Sequence, residues 1–135
     1  MNNSTNNSAG NPEESAWAAL ESQPGVDFSL ALDLLEDDRA MLAQILAEFT
    51  QDFGGLLDET SAALAKGDHE TLIRRMHALK GAAATLGLQA LSSEASAVEM
   101  ALKQQEATTA PLEALRQSFS TLLPLLQAAS QPHVQ

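Results

Sequence analysis

The sequence predicts an all-α protein, an antiparallel up-down four-helix bundle with one or two short helices capping its N-terminal end. Three observations carry this. Apolar residues recur at steps of three and four in four long segments, the period of a helix with one buried face. The 135 residues are 44% hydrophobic, mostly Leu and Ala, with 4% aromatics and no Tyr, a balance that suits helices better than sheets. The segments are joined by a few residues each, which returns successive helices antiparallel.

Residues 1–10 (M-N-N-S-T-N-N-S-A-G) have almost nothing to bury and are expected to be a disordered polar leader. The bundle is expected over 11–130, with 131–135 as a C-terminal tail. Asn11 can cap, Pro12 suits a first helical position, and Glu13 and Glu14 complement a helix N-terminus. That short helix carries Trp17 and Leu20 and stops at Pro24-Gly25; a second short turn over 27–35 presents Phe28, Leu32 and Leu35. The first long helix is predicted over 38–66, with Leu42, Ile45, Phe49, Phe53, Leu56, Thr60 and Leu64 as its stripe. Gly54-Gly55 in its middle costs roughly 1 kcal/mol per glycine relative to alanine, which marks the place for a bend or break. Gly67 ends it. Asp68 can cap the second helix, whose stripe is Leu72, Met76, Leu79, Ala83 and Leu86 and whose stop is Gly87. The third, over 89–106, puts Leu91, Ala95, Val98 and Leu102 on one face. The fourth, over 111–129, uses Leu112, Leu115, Phe119, Leu122 and Leu126, and Pro124 should kink it or mark a fraying end.

Composition removes several functions. Seven Lys and Arg against 18 Asp and Glu give a formal charge of −11, which argues against nucleic acid and against anionic membrane surfaces. There is no Cys, hence no disulfide framework, thiolate nucleophile or Cys-ligated metal. No apolar run is long enough to span a membrane, and no secretory signal is visible, so a cytoplasmic location is expected.

Of the three histidines, His69 falls in a first helical turn and His133 in the polar tail, both ordinary surface positions. His77 breaks the pattern. At about 100° per residue its stripe mates centre about 140° around the helix, so His77 should point outward. Its neighbours on that face are Glu70, Ile73, Arg74, Lys80, Gly81 and Ala84. Arg74, Arg75 and Lys80 form a cationic island in an acidic chain. Gly81 costs helix stability, and Gly81-Ala82-Ala83-Ala84 leaves the turn after His77 nearly bare, so that another protein's backbone can come close. A chance surface histidine and a small-residue helix contact are the plainer readings of these features. No Gly-rich phosphate loop ending in Lys and Ser or Thr is present, and no G-x-G-x-x-G, so ATP binding and self-phosphorylation are not expected. His69 and His77 are about 12 Å apart along the axis with no third ligand, so no metal is expected either.

The run His77 to Gly87, H-A-L-K-G-A-A-A-T-L-G, resembles the signature of histidine-containing phosphotransfer (HPt) domains, H-x-L-K-G followed by a small-residue turn and L-G. These are the four-helix modules of multistep His-Asp phosphorelays, and the resemblance extends from about Asp27 to at least Leu102. It implies that His77 accepts a phosphoryl group from a receiver-domain aspartate and passes it to another receiver aspartate. Attack through Nε2 needs the proton on Nδ1, and by position Glu99 is the candidate acceptor. Many relatives carry Gln there, and a solvated surface Glu is the alternative. Lys80 would offset charge on the phosphoryl oxygens. Gly81 would give the receiver room. Lys103 matches a position often basic in relatives, with a solvated lysine as the other reading. Docking would use the surface around Ile73, Arg74 and Ala84, although Ile73 also fits a half-buried bundle flank, and Arg75 would lie along the bundle.

The resemblance further implies that the Mg2+ of the transfer belongs to the receiver and that the chain needs no cofactor. The partners would be receiver domains of a hybrid sensor kinase or a response regulator, met through a small transient interface by a monomer. Two other classes compete: a helical adaptor that binds receivers without carrying phosphate, and an enzyme using His77 as general base. The second needs a pocket with partner acids, which an outward histidine on a bare helix face does not supply.

Overall fold

The computed structural model describes residues 12–130; the expected leader 1–10, the Asn11 cap, the 131–135 tail and His133 lie outside the described residues. Within them the chain is helical: α1 (Pro12–Glu21), α2 (Ser29–Leu34), α3 (Arg39–Phe53), α4 (Leu56–Lys66), α5 (His69–Leu86), α6 (Gln89–Lys103) and α7 (Thr109–Ser130). No strand is present among these residues, only an isolated antiparallel bridge between Val26 and Leu88.

Local chemistry sets the boundaries. Asp38 caps α3 by accepting from the Met41 amide at 3.0 Å, and Asp68 caps α5 by accepting from the Thr71 amide at 3.2 Å. Gly67 and Gly87 close α4 and α5 in the left-handed region, at φ of 71° and 83°. Gly87 serves a second purpose, because a Cβ there would collide with the Asp27 carbonyl. The Asp27 amide donates to the Gly87 carbonyl at 2.9 Å and the Gln89 amide to Gly25 at 2.7 Å. These bonds stitch the segment before α2 onto the α5–α6 turn.

α5 lies along α6 and α6 along α7, while α7 also packs on α3 and α1. α4 leans on α5, and α2 touches α3 and α5. Trp17 and Leu20 of α1 and Phe28 before α2 join the core, with the Trp17 and Phe28 rings edge to face at 5.7 Å. The buried residues of α5 are Leu72, Met76, Leu79, Ala83 and Leu86, the stripe expected for it.

Elsewhere the structure corrects the sequence reading. The 38–66 segment, drawn as one helix, is two, with the break at Gly54-Gly55, the place marked for a bend or break. In α3 the core position goes to Leu46 and Ile45 is half-buried; in α4 it goes to Ala63 and Leu64 is half-buried. Leu112 is also only half-buried. α6 ends at Lys103 instead of near Glu106, because Gln105 turns left-handed (φ 59°) and the Glu106 amide folds back to the Ala101 carbonyl at 2.8 Å. α7 runs past Pro124 to Ser130 with Leu126 and Ala129 buried, so Pro124 does not end it. The missing amide leaves the carbonyl of Ser120 unpaired within the helix, and Ser120 is exposed, where water can serve it.

Candidate functional site

Since α5 buries its predicted stripe, His77 faces out, and its side chain is 67% exposed. α6, returning alongside α5, brings Glu99 beneath the imidazole. Glu99 follows Val98 and precedes Leu102 on the core edge of α6, and its side chain is only 5% exposed. Among the described residues it is the buried ionisable side chain.

Three donors converge on that carboxylate. His77 Nδ1 lies 3.1 Å from Oε2, Lys80 Nζ 3.0 Å from Oε1, and Lys103 Nζ 2.9 Å from Oε2. Burial pushes the Glu99 carboxyl up, but the hydrogen bonds from Lys103, Lys80 and His77 outweigh it and hold it at about 2, against an ordinary 4.5. Glu99 is therefore ionised and can only accept. Its bond to His77 requires the ring proton on Nδ1, which in the neutral ring leaves the lone pair on exposed Nε2. The Ser92 hydroxyl donates to the Lys80 carbonyl at 3.0 Å and ties the two helices together beside this cluster.

The predicted residues divide as follows. His77, Lys80, Glu99 and Lys103 come together in one cluster, in which Glu99 is buried, unlike a solvated surface Glu, and Lys103 is an exposed side chain whose tip reaches the carboxylate. Gly81 and Ala84 are exposed on the turns beyond His77. A Cβ on Gly81 would meet nothing within 4 Å, so no internal packing calls for glycine there. Ile73 is half-buried against the core instead of freely exposed, since the bundle flank covers part of it. Arg74 is exposed and reaches back to the Thr71 hydroxyl at 3.4 Å. Arg75 turns away from His77: its Nε donates to Glu59 at 3.0 Å, a terminal nitrogen to the Asp52 carbonyl at 2.9 Å, and its guanidinium lies 4.9 Å over the Phe53 ring. Arg75 thus leaves the cationic island of the sequence, and Lys103 from α6 joins Lys80 beside His77.

The sequence reading missed Met100, which is 52% exposed and lines a shallow cleft of about 180 Å3 with Lys80, Ser96 and Lys103. An apolar residue at an outward position of α6 was the available signal. Among the described residues no three His, Asp or Glu side chains group as metal ligands do, and no helix is long and apolar enough to cross a membrane.

An all-helical module that presents the His77 imidazole, backed by a buried carboxylate and flanked by two ammonium groups, has the parts of a phosphoryl acceptor. The family model of the Hpt domain matches residues 44–131, and the chain belongs to that family. No curated protein and no solved structure matches it. Hpt domains are phosphocarriers that serve histidine phosphotransfer in phosphorelays and interact with receiver domains.

Proposed function

We propose that this protein accepts a phosphoryl group on His77 from a receiver-domain aspartate and delivers it to another receiver aspartate. The observation that carries this reading is the 3.1 Å contact of Nδ1 with a buried, ionised Glu99 beneath an otherwise exposed ring. The Nε2 lone pair attacks phosphorus of the aspartyl phosphate, the P–O bond breaks, and the electron pair leaves with the aspartate carboxylate. Delivery is the reverse: the P–N bond breaks toward Nε2 as the second aspartate attacks. The Nδ1 proton stays in place throughout, held by Glu99. Lys80 and Lys103 supply positive charge to a transition state whose stabilisation is mostly electrostatic. Both rest on Glu99 in the free protein and are long enough to turn toward a phosphoryl group.

The chain acts as a carrier without ATP site or resident cofactor, and Mg2+ comes with the receiver. The supporting architecture is an antiparallel up-down four-helix bundle within 12–130, in which α3 with α4, α5, α6 and α7 are the four arms and α1 and α2 cap them. Gly81 and Ala84 give the receiver its approach, with Ile73 and Arg74 on the flank. We place the protein in the cytoplasm as a monomer.

The test is phosphotransfer from a panel of phosphorylated receiver domains, with His77→Gln as control. Acid-labile, alkali-stable label on the wild type and none on the variant is expected. Receiver binding without label would make it an adaptor instead.

A further inference from the structure

On the flank of α5 opposite Glu99, a groove of about 200 Å3 runs between α3 and α5. Ile45, Phe49 and Phe53 of α3 and Ala82 of α5 line it, with exposed Glu48 and Asp52 beside them. None of these residues belongs to the docking surface read from the sequence. Thr85, on its α5 wall, lies about 12 Å along the axis and about 80° around the helix from His77. Lys80 turns about 60° the other way. A partner centred on His77 and resting on bare Gly81 and Ala84 therefore reaches the groove as well as the lysines.

The groove has a size and a charge. A void of about 150 Å3 holds a benzene-sized group, so this one seats a single large apolar side chain. Glu48 and Asp52 stand one turn apart on α3, an arrangement of like charges that a helix does not favour. Among the described residues no ion pair uses either carboxylate. Arg75 reaches the Asp52 main chain yet gives its ion pair to Glu59. An apolar slot beside two unpaired carboxylates fits an apolar side chain with a cation next to it.

We propose that this groove selects the receiver, seating an aliphatic or aromatic side chain of the receiver surface with an adjacent lysine or arginine against Glu48 and Asp52. The proposal rests on the phosphocarrier reading and adds the chemistry by which one receiver is preferred over another.

The probe is the receiver domain that phosphorylates the wild-type protein fastest, with Kd and transfer rate measured at low and high salt. The double variant Glu48→Lys, Asp52→Lys changes only exposed side chains, and we expect it to weaken binding about tenfold at low salt, with a smaller difference at high salt. Ala82→Trp fills the slot and should weaken binding at both salt concentrations. Should Ala82→Trp lose its helical signal, the charge-reversed pair decides alone. Replacing the receiver's facing lysine or arginine with Glu should restore binding to the double variant. Transfer to His77 that ignores these substitutions overturns the groove and leaves the carrier function standing. Absence of transfer from every receiver to the wild type overturns the function and the groove with it.

Discussion

The two flanks of α5 use the same ingredients in opposite proportions. Toward α6, one carboxylate, Glu99, serves three donors: His77, Lys80 and Lys103. Toward α3 and α4, one guanidinium, Arg75, serves several acceptors: the Glu59 carboxylate, the Asp52 carbonyl and the face of Phe53. The anion-centred cluster holds the His77 ring at Nδ1 and leaves that ring's outer edge in solvent. The cation-centred cluster spans the break between α3 and α4 and leaves nothing reactive exposed. On the proposed function, residues two apart on one helix divide chemistry from bracing, and substitutions should separate the two roles.

The largest effect falls on the chemical flank. His77→Gln should abolish phosphoryl acceptance while far-ultraviolet circular dichroism stays at the wild-type level, since the side chain lost is mostly exposed. Retention of acid-labile label on that variant would move the acceptor elsewhere. Next comes Glu99→Ala, which should slow transfer on the order of tenfold to a hundredfold, the scale on which removing the partner that orients an imidazole acts. Glu99→Gln should recover much of that rate, because its amide oxygen can still accept from Nδ1. Equal rates for the two variants would separate Glu99 from the tautomer.

Glu99 also makes a pH prediction. Its carboxyl is held at about 2 in the folded protein against 4.5 ordinarily, so its contribution to stability is fully present above pH 4.5. That contribution, at most about 3 kcal/mol, is lost as the pH falls from 4.5 through about 2. Denaturant unfolding across this range should show a shallower acid slope for Glu99→Gln than for wild type.

Arg75→Ala should act in the opposite sense, costing about 2 kcal/mol of stability through the lost charged hydrogen bonds and ring contact. Phosphoryl acceptance at saturating receiver should stay near wild type. Loss of acceptance with unchanged stability would show that the two flanks are one functional unit.

The division follows how far each side chain's fate depends on its own helix. The α5 stripe and the outward direction of His77 were legible because helical period alone decides them. The break at Gly54-Gly55 was legible from backbone cost. Which of two adjacent apolar residues, Ile45 or Leu46, enters the core was not, because it depends on where α5 and α7 lie around α3. The burial of Glu99 was hidden for a related reason: Lys80 and His77 arrive from another helix, and position 99 by itself reads as a polar neighbour of Val98. Sequence distance groups Arg75 with the cations near His77, while its long stem also suits it to lie along the bundle; Phe53 and Glu59, on other helices, draw it to that flank.

Gly81 carries the smallest stability effect and the most direct reading of the surface. Glycine within a helix costs roughly 1 kcal/mol relative to alanine, and a Cβ at this position meets nothing within 4 Å. Gly81→Ala should therefore raise stability by up to about 1 kcal/mol with no repacking. A methyl group adds little bulk to the docking face, so transfer should change little. Gly81→Gln should keep part of the helical gain while placing a long side chain one turn from His77, and receiver Kd should rise with it. Stability and binding would then move in opposite directions at one residue, the pattern expected where a helix gives up stability to keep a surface bare. A Gly81→Gln variant that binds receivers as tightly as wild type would place the receiver's approach on another face of α5.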